Sequence, residues 1–477
     1  MRVEQIRWGR AALVVATAVA LVAMVAGGTP AAAQAAPPAT AVAAPATPLT
    51  VPLLSARRVP ELLRSRIGAR DLAARLQAVA AKAPPTSCLV VSDHGRTIYD
   101  SRGSVPLEPA SVNKLLTAFA VVHNADPNDK VATVVSAAAP PAGGVVDGDL
   151  YLVGGGDGIL TTSGYQQTFL YRDQPVTPFA DLADRIKAAG ITQITGGIVG
   201  DDSRYDQQRY LPAWPERFQR QDDVAPLSAL EVNDGVTGYA DDPGGVTRVR
   251  KPGDPPTLAA TTLTSLLRAR GITVGGSASS GTAPAGATEV ARIESTLVDQ
   301  VHEMLGWSDN TTAELLGKEL GLRVKGTGTA PNGVVVTNET LAKFQIPTAG
   351  LDVRDSSGLD ENNRLTCATV NAVLDHEGPD SAIAQGLPVA ARTGTLQKRF
   401  RGTVADGALF AKTGSLEKPP VASLAGFMRT PPGATLTFSF IQNGNDATVV
   451  LHDELAAALA TYPAAPDLSD LAPHSPS

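Results

Sequence analysis

The sequence predicts an α+β protein in which helices flank an antiparallel sheet and a mainly β lobe is inserted into the main lobe. Apolar residues recur at helical spacing on both sides of residues 137–289, and three strand-like runs follow one another near the C-terminus. Residues 137–289 differ because they are rich in Gly, Pro and Asp, with short strand-like runs at 150–153 and 197–200 and one helix near 179–189. A chain of 477 residues has room for two or three such lobes.

The main lobe is predicted to comprise residues 56–136 and 290–462, with residues 463–477 as a disordered tail. Its first part contains a helix over 71–82, a hairpin of strands 88–92 and 97–99, and a buried helix over 111–122. Its second part contains two helices separated by a short loop at 307–310, then strands over 408–412, 421–428 and 434–442, and a closing helix over 452–462. Both ends of the chain therefore contribute to one lobe.

The N-terminal 33 residues have the pattern of a secretory signal peptide. Three arginines precede an apolar run from Ala11 to about Gly27, and small residues end in Ala31-Ala32-Ala33. An uncleaved membrane anchor is the alternative, and it would be the protein's only membrane contact. Either segment would export the rest of the chain to the cell envelope outside the cytoplasm or to the medium. Residues 34–55, rich in Ala and Pro, are predicted to be a linker.

The composition excludes several classes of function. A hydrophobic fraction of 43% with 18% charged residues indicates a globular protein with a core. Aromatic residues make up only 4%, the net charge is −7, and no long basic run follows the N-terminus, so a nucleic-acid partner is not expected. His302-Glu303 begins a zinc-protease pattern, but Gly306 stands where the second histidine is needed, so we predict no metal site and no cofactor.

Two cysteines are present, Cys88 and Cys367. In an exported protein this even number favours one structural disulfide over two free thiols. Such a bond would join an early strand to a distant late segment.

Three short motifs carry the chemistry: Ser111-Val-Asn-Lys114, Ser308-Asp-Asn310 and Lys412-Thr-Gly414. Helix residues three apart share a face, so the Lys114 amine can reach the Ser111 hydroxyl. A serine becomes a good nucleophile when a neighbour takes its proton, and lysine can do this only when neutral. Burial and the second cation, Lys412, are both expected to lower the pKa of Lys114.

The other motif residues are assigned complementary roles. Ser308 is suited to pass a proton to a leaving amine, and Asn310 can hold a substrate peptide group. Lys412, on an edge strand, is expected to present a fixed positive charge to a substrate carboxylate. The rest of that strand is predicted to bind substrate through two hydroxyl donors and one glycine that permits close backbone approach: Thr413, Ser415 and Gly414.

Longer segments around these motifs resemble a known family. The resemblance includes non-catalytic segments in the correct order and runs from about Cys88 to Asn443. The family is the penicillin-binding proteins of low-molecular-mass class C, which are the D-alanyl-D-alanine carboxypeptidase/endopeptidases of peptidase family S13. The segments that resemble it lie at 109–117, 148–154, 201–205, 228–234, 357–359 and 411–416.

The resemblance implies the serine β-lactamase/penicillin-binding (transpeptidase-like) fold, with an insertion between the first two motifs. It also implies acyl transfer, in which Ser111 attacks the carbonyl between two D-alanine residues of a peptidoglycan stem peptide and water hydrolyses the acyl-enzyme. The backbone N–H groups of Ser111 and Ser415 would hold the oxyanion. β-Lactam antibiotics would be inhibitors that acylate the same serine.

Two alternative functions are a β-lactamase of the same fold and a non-catalytic relative that binds the cell wall. The segment Glu339-Thr-Leu-Ala-Lys343 lacks the Glu-x-x-Leu-Asn pattern of class A β-lactamases, and all catalytic side chains are present.

The sequence departs from the family at Asp360-Glu361, where Ser-Arg usually follows Ser-Gly-Leu. This leaves open the preferred side chain of the stem peptide. In the insertion, Arg204, Tyr205 and Asp206 are candidate substrate contacts, with a purely structural role as the alternative.

Overall fold

The computed structural model describes residues 60–463, except 127, 170–172, 221–222, 243–244, 251–252 and 432. The predicted signal peptide, the linker at 34–55 and nearly all of the predicted tail lie outside these residues. All of the described residues belong to one unit, Leu53–Pro473. Within them, no helix has both the length and the apolar character needed to cross a membrane.

The first part of the main lobe supplies a helix, a hairpin and the turn that leads into a second, buried helix. In chain order these are α1 (Pro60–Ala80), β1 (Ser87–Asp93), β2 (Arg96–Ser101), a 3-10 turn (Ala110–Asn113) and α2 (Lys114–Asn124). In α2 every residue from Lys114 to Val121 is buried, which is the pattern of a central core helix rather than a surface helix.

In the residues that the structure describes, the inserted lobe contains short strands and four α-helices. These elements are β3 (Lys130–Ala137), β4 (Val145–Val146), β5 (Leu150–Val153), β6 (Leu160–Thr161), α3 (Ser163–Gln166), β7 (Thr177–Pro178), α4 (Phe179–Ala188), β8 (Gln193–Ile194), β9 (Ile198–Asp201), α5 (Arg217–Arg220), β10 (Val236–Asp242), β11 (Gly245–Arg250), α6 (Pro255–Ala269), β12 (Thr273–Val274), β13 (Ser279–Ser280) and β14 (Thr288–Thr296).

The main sheet of the inserted lobe includes residues on both sides of the predicted range 137–289. Its order is β13-β9-β5-β3-β14, and β3 pairs antiparallel with β14 from Lys130 opposite Thr296 onward. Helices α4 and α6 fill its core with Leu182, Ile186 and Leu263, among others. The sequence reading missed α6, because its Pro255-Pro256 start resembles a loop, although proline is favoured in the first turn of a helix.

The rest of the main lobe supplies a series of helices, then the remaining strands of its sheet, then a closing helix. These elements are α7 (Leu297–Trp307), α8 (Asn310–Lys325), α9 (Ala330–Lys343), α10 (Cys367–Glu377), α11 (Ala382–Gly386), β15 (Leu409–Glu417), β16 (Pro420–Arg429), β17 (Thr435–Asn443) and α12 (Val450–Leu459). The sheet is antiparallel, in the order β15-β16-β17-β1-β2. Strand β1 joins β17, so the two ends of the chain build one sheet, and the α+β prediction is confirmed.

Two apolar cores sandwich this sheet. On one side, Phe410 and Phe427 of the sheet pack with α2, α7, α8, α9 and α10. On the other, Phe438 and Phe440 pack with α1 and α12. Helix α2 therefore lies inside the larger core, and its first residue, Lys114, has no exposed surface.

A disulfide joins Cys88 in β1 to Cys367 at the start of α10. The two cysteines are 279 positions apart in sequence, their Cα atoms are 5.9 Å apart, and both are buried with Val90, Leu107 and Ile441. The bond therefore attaches a core helix directly to the central sheet.

Replacing both cysteines by serine is expected to lower the free energy of unfolding by about 2–5 kcal/mol, because a cross-link that closes a long loop restricts the unfolded chain. Denaturant titration of the oxidised wild type and the Cys88→Ser/Cys367→Ser variant measures the difference. Equal unfolding free energies would contradict a structural role for the bond.

Candidate active site

The turn before α2 presents Ser111 to a cleft, and α2 places Lys114 one turn later. Ala110 just before Ser111 has φ of +48°, a conformation that residues other than glycine seldom adopt. Lys114 Nζ lies 3.1 Å from Ser111 Oγ. The proximity expected from their spacing is therefore present.

Two further acceptors surround the Lys114 amine. Its Nζ donates to Asn310 Oδ1 at 2.6 Å and to the Ser357 carbonyl at 2.7 Å. A neutral amine has two N–H groups and one lone pair. It can therefore donate to Asn310 and Ser357 while its lone pair accepts the Ser111 hydroxyl proton.

Burial lowers the pKa of Lys114 from 10.5 to about 8. Four carboxyl groups oppose this shift, with Asp309 and Asp355 having the largest effects. Burial is thus the cause of the lowered pKa of Lys114. Lys412, which was also expected to lower it, is not one of the causes. Burial and the charge of Lys114 together lower the pKa of Lys412 well below its ordinary value.

The loop between α7 and α8 brings the second motif to the same place. Ser308 has a left-handed backbone, with φ of +65°, which ends α7. Asp309 then caps α8 by accepting a hydrogen bond from the Thr312 N–H at 2.7 Å. Asn310 is the first residue of α8, and its Nδ2 donates to the Asp223 carbonyl at 2.7 Å. Asn310 therefore connects the Lys114 amine to the inserted lobe.

Strand β15, at the edge of the sheet, supplies the third motif. Lys412 is fully buried, and its Nζ donates to Ser308 Oγ at 2.8 Å and to the Thr413 carbonyl at 2.8 Å. The sequence predicts a fixed positive charge here. Burial instead lowers the pKa of Lys412 and disfavours its ammonium form. A nearby anion, such as a substrate carboxylate, would favour the ammonium form again.

Two glycines let neighbouring segments contact the turn that carries Ser111. A Cβ on Gly414 would lie 2.7 Å from the Pro109 carbonyl oxygen and 3.2 Å from the Ser111 nitrogen. Gly358 has φ of +87°, and a Cβ there would lie 2.1 Å from the Ala110 carbonyl oxygen. Only glycine fits at these positions. The predicted reason for Gly414, close backbone approach, agrees with this geometry.

These segments enclose a cleft of about 450 Å³. Ser415, predicted to bind substrate, lines it together with Ser111 and Asn310. Thr413 instead shares a hydrogen bond of 2.9 Å with the Thr395 hydroxyl. The remaining wall comes from both lobes, and consists of Arg217, Phe218, Asp223, Gly358, Leu359, Leu416, Glu417 and Lys418.

The two residues that depart from the family pattern have different roles. Asp360 is buried, and its Oδ1 accepts the Asn362 N–H at 2.8 Å, which shapes the loop. Glu361 forms an ion pair with Arg217, which also donates to the Lys418 carbonyl at 2.7 Å. The inserted lobe therefore places the Arg217 guanidinium on this wall of the cleft.

Sequence reasoning missed the support beneath Lys114. Glu314 is fully buried in α8, and its Oε1 accepts the backbone N–H groups of Ser356 at 3.0 Å and Ser357 at 2.7 Å. This holds the Ser357 carbonyl against the amine. Burial raises the pKa of Glu314 to about 8. A glutamate between Ala313 and Leu315 in an otherwise apolar helix segment was the available signal.

The candidate substrate contacts in the insertion bind α8 instead of lining the cleft. Arg204 forms two hydrogen bonds with Glu319, at 2.8 and 3.0 Å, and the Tyr205 hydroxyl donates to the same carboxylate at 2.9 Å. Asp206 pairs with the fully buried Lys318. These contacts attach the inserted lobe to the main lobe, in line with the structural alternative.

The sequence of this chain is similar to a known protein family and to characterised relatives. The profile of the D-Ala-D-Ala carboxypeptidase 3 (S13) family matches residues 72–253 and 238–462. Carboxypeptidase DacB of Mycolicibacterium smegmatis is 32% identical over 385 residues, which cover 78% of this chain and 80% of that protein. The D-alanyl-D-alanine carboxypeptidase of Actinomadura sp. (strain R39) is 28% identical over 500 residues, covering 87% of this chain and 90% of that protein.

The fold has a solved counterpart. The crystal structure of penicillin binding protein 4 (dacB) from Haemophilus influenzae superposes with a TM-score of 0.65 at 19% identity, covering 80% of this chain and 98% of that one. At this identity the likeness shows the fold alone. The fold and the family expected from the sequence motifs are thereby confirmed.

Replacing Gly414 by alanine is expected to push β15 away from the turn of Ser111, since the new methyl group would overlap the Pro109 carbonyl. We expect a loss of about 1–3 kcal/mol in unfolding free energy and slower labelling of Ser111 by a serine-directed fluorophosphonate. Thermal unfolding and labelling rates measure both effects.

The matched control is Gly306→Ala in α7, where a Cβ would lie 3.6 Å from its nearest neighbour. This variant should unfold at or above the wild-type temperature, because alanine favours a helix. Wild-type labelling by Gly414→Ala would contradict the close-approach argument.

Proposed function

We propose a substrate and a catalytic mechanism for this chain, which belongs to the D-Ala-D-Ala carboxypeptidase 3 (S13) family and is a serine-type peptidase that acts on peptidoglycan. We propose that Ser111 forms an acyl-enzyme with stem peptides ending in D-Ala-D-Ala, in carboxypeptidase action, endopeptidase action or both. The observation that carries this proposal is the buried Lys114 amine, with a pKa lowered to about 8, at 3.1 Å from the Ser111 hydroxyl.

Acylation begins with proton transfer from the Ser111 hydroxyl to the neutral Lys114 amine. The serine oxygen bonds to the carbonyl carbon of the penultimate D-alanine, and the carbonyl electron pair moves to its oxygen. When that pair returns, the C–N bond to the last residue breaks, and the leaving amine takes up the proton that Lys114 received, relayed by the Ser308 hydroxyl, so Lys114 is neutral again. Water then gives a proton to Lys114 and its oxygen bonds to the ester carbonyl carbon. The bond to Ser111 breaks, the Ser111 oxygen takes the proton back from Lys114, and the shortened peptide leaves as its carboxylic acid.

The cleft supplies the stabilising groups. The backbone N–H groups of Ser111 and Ser415 face the developing oxyanion, and each such donor contributes about 3–4 kcal/mol in comparable acyl-transfer sites. The Asn310 amide nitrogen uses one N–H for Asp223, and its second N–H serves a substrate carbonyl. The substrate carboxylate lies beside Lys412, where it restores the ammonium charge. β-Lactams acylate Ser111 by the same route.

The proposal includes export, since peptidoglycan lies outside the cytoplasm. A disulfide is the bond of an oxidising compartment, which supports this location. We propose the division expected from the sequence, with the main lobe at 56–136 and 290–462 and the insertion at 137–289, except that the border strands β3 and β14 belong to the insertion. The pairing of β3 with β14 supports placing those two strands with the insertion.

A β-lactamase is the less favoured function. Rapid deacylation by the class A route needs a glutamate at the ester. The glutamate in the segment weighed for that role, Glu339, lies in α9 and pairs with Lys325 at 2.7 Å on the surface. Slow hydrolysis of a bound penicillin is therefore expected.

The decisive test is labelling by a fluorescent penicillin together with hydrolysis of a D-Ala-D-Ala peptide. Ser111→Ala should lose both, while the surface control Ser265→Ala in α6 should keep both. Labelling of Ser111→Ala at the wild-type level would refute the nucleophile assignment. Rapid turnover of the penicillin by the wild type would favour a β-lactamase.

A second prediction concerns the charge of Lys412. The pKa of the free enzyme's Lys412 is lowered, and a bound carboxylate raises it, so binding of a carboxylate-terminated substrate takes up a proton. The enzyme therefore binds this substrate with full affinity at pH values below the pKa of Lys412 in the free enzyme. Above that pKa, the affinity falls by up to tenfold per pH unit. An ester-capped substrate lacks this effect.

The measurement is the ratio of kcat/KM for the free-acid and ester-capped peptides as a function of pH. The ratio should fall with rising pH in the wild type and be low and flat in Lys412→Ala. A ratio independent of pH in both proteins would contradict the role of Lys412.

A further inference from the structure

Although the sequence motifs predict no metal site, we propose that the ends of α2 and α10 form a site for one divalent transition-metal ion, with Zn²⁺ as the probe. The ligand atoms come from His123, in the last turn of α2, and from His376 and Glu377, in the last turn of α10. The site is separate from the cleft. His123 is nine positions after Lys114, which corresponds to roughly 13 Å along a helix.

The three side chains already converge. One ligand atom from each lies within 4.8 Å of the other two. His123 Nε2 is 2.7 Å from Glu377 Oε1, and His376 Nδ1 is 3.5 Å from the same oxygen. Zn²⁺ bound at about 2.0–2.2 Å to such atoms places them roughly 3 to 3.5 Å apart, so small side-chain movements suffice.

Aromatic packing holds both imidazoles in position. The His123 ring centroid lies 4.4 Å from that of Phe119 and 4.1 Å from that of Phe344. The His376 ring lies 5.4 and 5.1 Å from the same two phenylalanines. The two imidazoles are themselves 5.4 Å apart, nearly perpendicular. A ligand set with restricted rotamers loses little entropy when a metal binds.

The charge of Glu377 is the independent argument for a cation. Its side chain is only 9% exposed, yet in the described part of the chain no lysine or arginine forms an ion pair with it. Its recorded ion-pair partners there are the two imidazoles. A carboxylate removed from water is stabilised by a positive charge, which a metal ion held by the same two imidazoles supplies.

The donor set selects the class of metal. Two imidazole nitrogens with one carboxylate oxygen suit zinc and its neighbours, whereas calcium and magnesium prefer oxygen ligands alone. Three protein ligands leave a fourth position for water. Since the site joins the ends of two core helices, the bound ion stabilises the main lobe and takes no part in acyl transfer.

The test is isothermal titration of tag-free, chelator-treated full chain with Zn²⁺, with thermal unfolding measured in parallel. The wild type should bind about one ion and unfold at a higher temperature with Zn²⁺ than with chelator. His376→Ala and Glu377→Gln should each bind at least tenfold more weakly. Mg²⁺ should produce no shift.

The matched control is His94→Ala. His94 pairs with the Asp93 carboxylate at 2.6 Å on the surface, so it is a histidine–carboxylate pair of similar geometry with a single imidazole. This variant should bind Zn²⁺ like the wild type. Because His376 also packs against Phe119 and Phe344, each variant is compared with itself in chelator, and only the shift that Zn²⁺ causes is counted. Equal Zn²⁺ affinity in the wild type and His376→Ala, or equal losses in His376→Ala and His94→Ala, would overturn the proposal.

Discussion

The burial of one lysine amine is the constraint on which the rest of the site depends. Lys114 begins a helix that is buried over its first eight residues, so its ammonium form loses hydration and its pKa falls. Nearby carboxyl groups act in the opposite direction, and burial raises the pKa of one of them, Glu314, to about 8. The core around α2 therefore has a chemical function as well as a structural one.

Backbone contacts bring the three motifs together. The Ser111 turn is contacted by Gly414 from the edge strand and by Gly358 from the loop that also presents the Ser357 carbonyl. Asn310 hydrogen-bonds both Lys114 and the inserted lobe. Each segment reaches the cleft through a contact too close for a larger residue or through a hydrogen bond to the Lys114 amine. Small displacements of any one segment would therefore change the distance between base and nucleophile.

Much of this arrangement could be predicted from the sequence, because local spacing specifies it. The three-residue separation of Ser111 and Lys114 and the break between α7 and α8 follow from helix periodicity. Contacts between distant segments could not be predicted that way. The role of Glu314 beneath Ser357, the pairing of Arg217 with Glu361, and the meeting of His123 with Glu377 depend on tertiary packing between residues with no periodic relation. Helix α6 was not predicted because two consecutive prolines are typical of a loop and are also compatible with the first turn of a helix.

The most direct test of the account is the pKa of the Lys114 amine itself. It can be measured by NMR titration of protein labelled with ¹³C at the lysine Cε, with the signal assigned from its absence in Lys114→Arg. Burial of the amine predicts a titration midpoint of about 8, well below the ordinary 10.5 of a lysine. A midpoint at or above 10.5 would mean that the amine stays charged at neutral pH and cannot accept the serine proton.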